Sequence, residues 1–213
     1  MNELPSQQGN SPLIQLLAKA LQLWIRSRCK SVGELTVDLQ GSSKDLLQGK
    51  IQGATVEARD VNFQGLIIQH AEIKSGLIQV NINIGWPAKA IQLNEAFSIF
   101  GNITMTGKEL NQSLLSDQWR WLGDHLSEEL MGLAPLGGLR IDNDVLELQA
   151  PVIGDNEPAR QRFSLSAEDG TLRISHLVGG KETNLPMDPA INIEKGVLAS
   201  GMLSLCGNAK VSP

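Results

Sequence analysis

The stretch that decides the fold reads Leu77-Ile78-Gln79-Val80-Asn81-Ile82-Asn83-Ile84, in which apolar and polar side chains alternate. A period of two places every apolar side chain on one face of an extended strand. That face consists of Ile78, Val80, Ile82 and Ile84. The segment from Glu34 to Gln40 repeats the pattern, and its apolar face consists of Leu35, Val37 and Leu39. Both segments therefore predict half-buried strands of an antiparallel sheet.

Turn residues divide the surrounding sequence, residues 32–84, into several short strands. Gly65 and the pair Ser75-Gly76 separate apolar segments at the spacing of hairpins. Gly53 interrupts the alternation that begins at Ile51, as a β-bulge does, and a bulge bends a sheet. We therefore expect this region to form one strongly curved antiparallel sheet.

An amphipathic helix is expected near the N-terminus. Ser11-Pro12 supplies an N-cap hydroxyl followed by a proline, which the first helical position tolerates. Apolar residues then recur at helical spacing and define the face expected to pack on the sheet: Leu13, Leu16, Leu17, Ala20, Leu21 and Trp24. Polar residues form the opposite line: Gln15, Lys19, Gln22 and Arg26.

A long central helix is expected to begin at the capping-box pattern Thr106-Gly107-Lys108-Glu109. Helical spacing continues beyond Ser116-Asp117 in a second segment, and the apolar side of the whole region includes Leu110, Leu114, Trp119 and Leu122. Gly132 and the residues that follow it, with Pro135, end the helical pattern.

Strand patterns return after this helical region. A hairpin is expected to turn at Asp169-Gly170, and a final pair of strands is expected at residues 191–194 and 197–211. The order of elements predicts an α+β fold. We expect a single domain over residues 11–213, preceded by a disordered segment of residues 1–10.

Composition limits the classes of function. The chain has 213 residues, of which 41% are hydrophobic but only 4% aromatic, so its interior is built mainly from aliphatic side chains. Aliphatic side chains of this kind can pack against the acyl chains of a lipid as well as against one another. The formal net charge of -5 argues against nucleic-acid binding, which requires a concentrated basic surface.

The sequence shows no targeting or membrane-spanning segment. Residues 1–10 lack the basic region and cleavage site of a signal peptide, and polar residues interrupt the most apolar N-terminal stretch. The two cysteines, Cys29 and Cys206, are expected to be free thiols in a reducing compartment. We therefore expect a cytoplasmic protein that contacts a membrane only peripherally, on its inner face.

No residue pattern indicates catalysis. The chain has three histidines, all in different predicted elements, so no zinc-ligand spacing is present. A metal face or an acid-base cluster could be drawn on the second helical segment from Asp124, His125, Glu128 and Glu129, but charged residues at this helical spacing usually form a solvated face. We expect no catalytic residue, no metal site and no cofactor, and a lipid-modifying enzyme that uses this cluster is the weakest of three hypotheses.

The N-terminal helix allows two compatible interpretations. Its apolar face packs on the sheet in the structural one. In the functional one the helix lies at a membrane surface or gates a lipid cavity, with four cations near anionic headgroups: Lys19, Arg26, Arg28 and Lys30. Each such cation contributes about 1 kcal/mol, so four contribute at most roughly 4 kcal/mol, which permits reversible contact without anchoring.

The order of these elements resembles a known family. The strand segments Gly65-Leu66-Ile67-Ile68 and Gly76-Leu77-Ile78-Gln79-Val80-Asn81, the helix segment Leu110-Asn111-Gln112-Ser113-Leu114 and the closing strand Leu203-Ser204-Leu205-Cys206-Gly207 resemble LmeA-like phospholipid-binding proteins. The resemblance spans nearly the whole chain and is nearest to the members without a signal sequence in photosynthetic bacteria.

The resemblance implies a fold similar to tubular lipid-binding domains, in which a long helix packs into a curved sheet and leaves an apolar groove. It implies phospholipid as the ligand, of the phosphatidylinositol type in actinobacterial relatives, where the role lies in envelope glycolipid assembly. Those relatives are exported, whereas this sequence shows no export signal. The resemblance therefore implies lipid binding more directly than it implies the envelope role.

We place the expected groove on the sheet face that contains Val37, Leu39 and Val80, closed by the central helix. The residues expected to contact lipid are Leu16, Leu17, Trp24, Val37, Leu39, Ile78, Val80, Ile82, Ile84, Leu114 and Trp119. The first hypothesis is therefore non-catalytic binding or shuttling of phospholipid or another acyl lipid at a membrane surface. The second is a structural or adaptor domain that binds a protein partner and carries no lipid. An elongated cavity favours the first, and a solid core with an exposed apolar patch favours the second.

Overall fold

The computed structural model describes residues 12–82 and 91–213. The expected disorder of residues 1–10 and the predicted lipid contact at Ile84 lie outside the described residues. In the first half of the chain the elements are α1 Pro12–Arg28, β1 Glu34–Gln40, α2 Ser43–Leu47, β2 Lys50–Ile51, β3 Gly53–Phe63, β4 Leu66–Ser75, β5 Ile78–Ile82, β6 Ile91–Leu93 and β7 Phe97–Thr106. In the second half they are α3 Gly107–Leu114, α4 Arg120–Met131, β8 Gly138–Asp142, β9 Val145–Ala150, β10 Ala159–Glu168, β11 Thr171–His176, β12 Glu182–Asn184, β13 Ile191–Ala199 and β14 Met202–Val211.

The described strands form three antiparallel sheets, so the α+β class with few helices is confirmed. The six-stranded sheet has the order β1-β3-β4-β7-β14-β13, and the five-stranded sheet has the order β12-β11-β10-β9-β8. A three-stranded sheet has the order β2-β5-β6. The six-stranded sheet does not close into a barrel, because β1 and β13 are its two edges.

Residues 32–84 do not form one sheet, and this prediction is wrong. The two strands whose patterns are most alike belong to different sheets, β1 to the six-stranded one and β5 to the three-stranded one. Gly53 is not a bulge but the first residue of β3, where the chain passes from one sheet to the other. Ile51 pairs with Ile78, whereas Gly53 pairs with Gln40. A Cβ atom at Gly53 would lie 3.1 Å from the Gln40 Oε1 and 3.3 Å from the Ser75 carbonyl oxygen, so the strands approach closely there.

The expected long central helix is two helices of 8 and 12 residues. The capping box is confirmed, since the Glu109 N–H donates to the Thr106 Oγ1 at 3.2 Å and the Thr106 N–H donates to the Glu109 Oε2 at 2.7 Å. The helix then ends because the backbone tightens into three-residue turns, in which the Ser116 N–H donates to the Ser113 carbonyl at 3.0 Å.

The hairpin turns are local features and mostly follow their sequence signals. Asp169-Gly170 turns as predicted, with φ angles of 50° and 78°, and Gln64-Gly65 does the same with 49° and 85°. The final hairpin differs, because its turn lies at Ser200-Gly201 and β13 continues through residues 195–199. The register of β13 shifts between Ile193 and Lys195, so the pattern break read as a turn is a bulge.

Buried apolar side chains form three clusters that divide the helices between the sheets. The largest packs α3 and α4 against the five-stranded sheet, around Leu130, Leu148 and Phe163. A second packs α1 and α2 against β1 and the three-stranded sheet. A third lies under the C-terminal half of α1 on β1, β3 and β4. The pair α1 and α2 therefore covers a different part of the sheets from the pair α3 and α4.

A matched pair of glycines tests the close packing of β13 on β14. Gly207 and Gly101 face each other across β14 and β7. A Cβ atom at Gly207 would lie 2.4 Å from the Asn192 carbonyl oxygen, whereas one at Gly101 would meet nothing closer than 3.9 Å. Gly207→Ala is expected to lower the free energy of unfolding by about 1 to 3 kcal/mol, measured by urea denaturation. Gly101→Ala is the control and is expected to change it by less than about 1 kcal/mol. Equal effects would contradict the close approach.

Candidate functional site

The inner face of α1 differs from the predicted one. The inward side chains are Ile14, Leu17, Ala18, Leu21 and Ile25, and Ile14 is completely buried. Leu17 and Leu21 were predicted correctly, but Leu13, Leu16, Ala20 and Trp24 are exposed. At 100° per residue the observed face is rotated by about a quarter turn from the predicted one. The sequence allowed both orientations because apolar residues occupy more than half of the helix circumference.

This rotation leaves an apolar stripe on the outer surface of α1. We call it the outer stripe, and it consists of Leu13, Leu16, Ala20, Leu23 and Trp24. Leu16 is 65% exposed, Leu23 69% and Trp24 56%. Large apolar side chains in a continuous row on a soluble surface mark a contact with a membrane, a ligand or another protein.

Exposed cations border the outer stripe. They are the four cations predicted from the sequence, Lys19, Arg26, Arg28 and Lys30. The guanidinium of Arg28 lies 5.4 Å from the ring centroid of Trp24, in a cation–π contact. Within the described residues no acidic side chain forms a salt bridge with any of the four. Their charges therefore remain available to an anionic surface.

The structure places most residues of the predicted lipid-binding sheet face together, but they form a packed core instead of a groove. Val37, Leu39, Ile78 and Val80 meet beneath α1. Leu39 is 1% exposed, Val80 3% and Ile78 8%, so α1 side chains fill the space where the groove was expected. Ile82 belongs to β5, and its side chain lies outside the described part of the structure.

Leu114 and Trp119 do not join this face. Both contribute to the cluster between α3, α4 and the five-stranded sheet. The Trp119 Nε1–H also donates to the carbonyl of Gln64 at 3.0 Å, which ties the start of α4 to the β3–β4 turn. The prediction that the central helix closes the groove is therefore wrong, because α1 covers that face instead.

Two open clefts lie elsewhere on the surface. The first, of about 540 Å³, lies between the start of α3 and β8, and its lining residues include Lys108 and Arg140. The second, of about 410 Å³, lies where the end of α1 meets the β3–β4 turn and the α3–α4 connection. We call the second one the α1-end cleft. Sequence reasoning missed both clefts, because each is formed by segments far apart in the chain.

The acid-base cluster predicted on α4 does not line either cleft. Asp124 has a structural role, since its Oδ1 accepts hydrogen bonds from the Arg120 Nε at 3.2 Å and from the Leu136 backbone N–H at 2.8 Å. Glu128 is exposed. Among residues 12–82 and 91–213, no group of three or more His, Cys, Asp or Glu side chains is arranged to hold a metal ion.

Glu147 is the buried carboxylate of the described core. Burial by itself would raise its pKa, but Gln149 and the guanidinium groups of Arg140 and Arg162 outweigh that effect and lower the pKa below its usual value. The Arg140 Nη2 lies 3.2 Å from the Glu147 Oε1, and the Arg162 Nε lies 3.5 Å from the Oε2. These contacts join three neighbouring strands, β8, β9 and β10.

These features define an α+β protein with antiparallel sheets, whose first described helix presents an apolar stripe bordered by cations. The chain belongs to the LmeA-like phospholipid-binding family, whose model matches residues 9–198. No curated protein and no solved structure matches it significantly. In the part of the chain that the structure describes, every helix is too short or too polar to cross a bilayer.

An acidic substitution distinguishes a filled core from an open groove beneath α1. Val80→Asp places a charge where the wild-type side chain is 3% exposed, so we expect a loss of about 3 to 5 kcal/mol in the free energy of unfolding, measured by urea denaturation. The control is Asn81→Asp at the next, exposed position, with an expected change within about 0.5 kcal/mol. A tolerated Val80→Asp would mean that the face is open to solvent.

Proposed function

We propose that this protein binds or shuttles phospholipid without catalysing any reaction, and that α1 docks on a membrane surface through its outer stripe. Membership in a phospholipid-binding family supports the choice of ligand. The outer stripe, with Leu16 and Leu23 about two-thirds exposed, is the observation that carries the membrane contact. A helix with this distribution of apolar and basic residues lies in the interface plane of a bilayer.

The energies of this contact suit a reversible peripheral protein. Fully burying one leucine contributes about 1.5 to 3 kcal/mol, so the side chains of the outer stripe together contribute several kcal/mol. The cations add about 1 kcal/mol each at an anionic surface, and salt screens that part. The protein therefore prefers anionic membranes and leaves them again.

The buried face beneath α1 is the proposed acyl-chain site. Of the 17 residues of α1, all of them described, only Ile14 is buried. A helix with so few buried side chains can separate from the sheet more easily than a core helix, and α1 would then expose Leu39, Ile78 and Val80 to an acyl chain. A chain of about sixteen carbons gains roughly 12 kcal/mol against water, but far less against the bilayer that already shelters it. In this proposal an acyl chain takes the place of α1 on the sheet, which gives a lipid site similar to the apolar groove of tubular lipid-binding domains.

The adaptor hypothesis uses the same outer stripe. A protein partner would cover the stripe instead of a membrane, and the solid packing beneath α1 would then be permanent.

The lipid content of the purified protein distinguishes lipid binding from the adaptor hypothesis. Native mass spectrometry of protein purified without detergent, followed by lipid extraction, is expected to find co-purifying phospholipid. A lipid-free, folded protein that also ignores anionic vesicles would refute lipid binding and favour the adaptor.

Removing the outer stripe tests the membrane contact. The double variant Leu16→Ser/Leu23→Ser removes roughly 2 to 4 kcal/mol of apolar transfer energy. We therefore expect at least about tenfold weaker binding to anionic vesicles in a sedimentation assay. The control Ile153→Ser/Val178→Ser removes two exposed apolar side chains from loops of the five-stranded sheet and is expected to bind like the wild type. Equal losses in both variants would contradict docking through α1.

A further inference from the structure

The α1-end cleft is built from three separate segments. Its eleven lining residues come from the end of α1 (27–30), from the β3–β4 hairpin (62, 64, 65 and 67) and from the α3–α4 region (112, 116 and 118). Its volume of about 410 Å³ lies within the range of small-ligand sites. The three segments lie in different parts of the sequence, so the cleft exists only in the folded chain.

The walls of the cleft are held in place by hydrogen bonds and close packing. The Lys30 backbone N–H donates to the Asn62 carbonyl at 2.8 Å, which fixes the end of α1 to β3. A Cβ atom at Gly65 would lie 2.9 Å from both the Gln118 Oε1 and the Ser116 Oγ, so the β3–β4 turn rests directly on the α3–α4 connection. The cleft is therefore pre-formed, which lowers the entropy cost of binding a ligand.

The charge of the cleft is purely positive. Arg28 and Lys30 line it, and none of its eleven lining residues is acidic. Neither cation forms a salt bridge within the described residues. Two cations without a counter-charge favour an anion such as a phosphate group.

Three glutamine side chains supply part of the remaining polar surface. Gln64, Gln112 and Gln118 line the cleft. Their amide groups make no hydrogen bond to any other described residue. An amide both donates and accepts hydrogen bonds, so these groups suit the ester and hydroxyl oxygens that surround a phosphate diester.

The cleft continues the outer stripe of α1. Trp24 ends the stripe, and the guanidinium of Arg28 lies over its ring while also lining the cleft. The cleft therefore lies at the end of the helix that is proposed to contact the membrane, which is where a lipid headgroup at the bilayer surface would meet the protein.

We propose that the α1-end cleft is the headgroup site for an anionic phospholipid, in which Arg28 and Lys30 bind the phosphate and the glutamine amides bind neighbouring oxygens. This inference rests on the proposed lipid binding and adds a preference for one class of headgroup. A net anionic headgroup is preferred over a zwitterionic one, because the cleft has no acidic group to pair with a choline or amine. Lys19 and Arg26 lie outside the cleft and act only through general attraction to the membrane.

The test uses dihexanoyl phosphatidylglycerol at concentrations below micelle formation, with binding to the full chain measured by titration calorimetry. Arg28→Gln/Lys30→Gln is expected to bind at least tenfold more weakly than the wild type. The control Lys195→Gln/Lys210→Gln removes the same charge from exposed positions on β13 and β14 and is expected to bind within twofold of the wild type. Gln112→Trp fills the cleft without changing its charge and is expected to abolish binding. Circular dichroism and the urea midpoint check that each variant is folded.

Three further arms identify the source of the bound phosphate. Dihexanoyl phosphatidylcholine is expected to bind at least tenfold more weakly than the phosphatidylglycerol. Inorganic phosphate and glycerol 3-phosphate are expected to compete only at far higher concentration, and tight binding of either alone would overturn the lipid assignment. Equal losses in the charge variant and its control, or unchanged binding by Gln112→Trp, would overturn the headgroup site while co-purifying lipid left the proposed function intact. A wild type that binds no lipid in any assay would overturn both.

Discussion

The pairing of β7 with β4 on one side and β14 on the other is the constraint on which the described structure depends. All ten residues of β7 pair with β14, and His70 to Ser75 of β4 pair with its other edge. Because α3 begins directly after β7, this pairing fixes α3 beside β4, where the Ser113 Oγ accepts the Ile67 N–H at 2.8 Å. The β3–β4 turn, the α3–α4 connection and the end of α1 then meet at one place, which is the α1-end cleft.

Helix α1 is apolar on two faces, of which only one is covered by other described parts of the chain. The inner face has a partner within the chain, whereas the outer stripe has none among the described residues. No acidic residue lies between Pro12 and Arg28, although the whole chain carries a net charge of -5. This difference in charge supports the proposed membrane contact, in which an anionic bilayer attracts α1 more than it attracts the rest of the chain. In the same proposal, burial of the outer stripe supplies the short-range contact.

The sequence predictions succeeded where the signal is local. The start of α1 at Pro12, the capping box at Thr106 and Glu109 and the turn at Asp169-Gly170 all depend on residues within three or four positions of each other. The predictions failed where two segments of the chain had the same local pattern. Strands β1 and β5 share the same alternation, and alternation specifies which side chains share a face but not which strand lies alongside. The same limit explains Gly53, whose break in the pattern marks a change of sheet rather than a bulge.

The sequence by itself determined the α+β class, the positions of most turns and caps, the four cations near α1 and the family to which the chain belongs. Each of these is encoded in residue types at short spacing or in their order along the chain. Only the tertiary structure decided that α1, rather than the central helices, covers Leu39 and Val80, and that Leu16 and Trp24 point outward. The tertiary structure also placed Arg28 and Lys30 in one cleft with glutamines from α3, from the β3–β4 turn and from the α3–α4 connection. The physical reason is that helix orientation and the assembly of a cleft depend on the total burial of distant surfaces, which no local pattern contains.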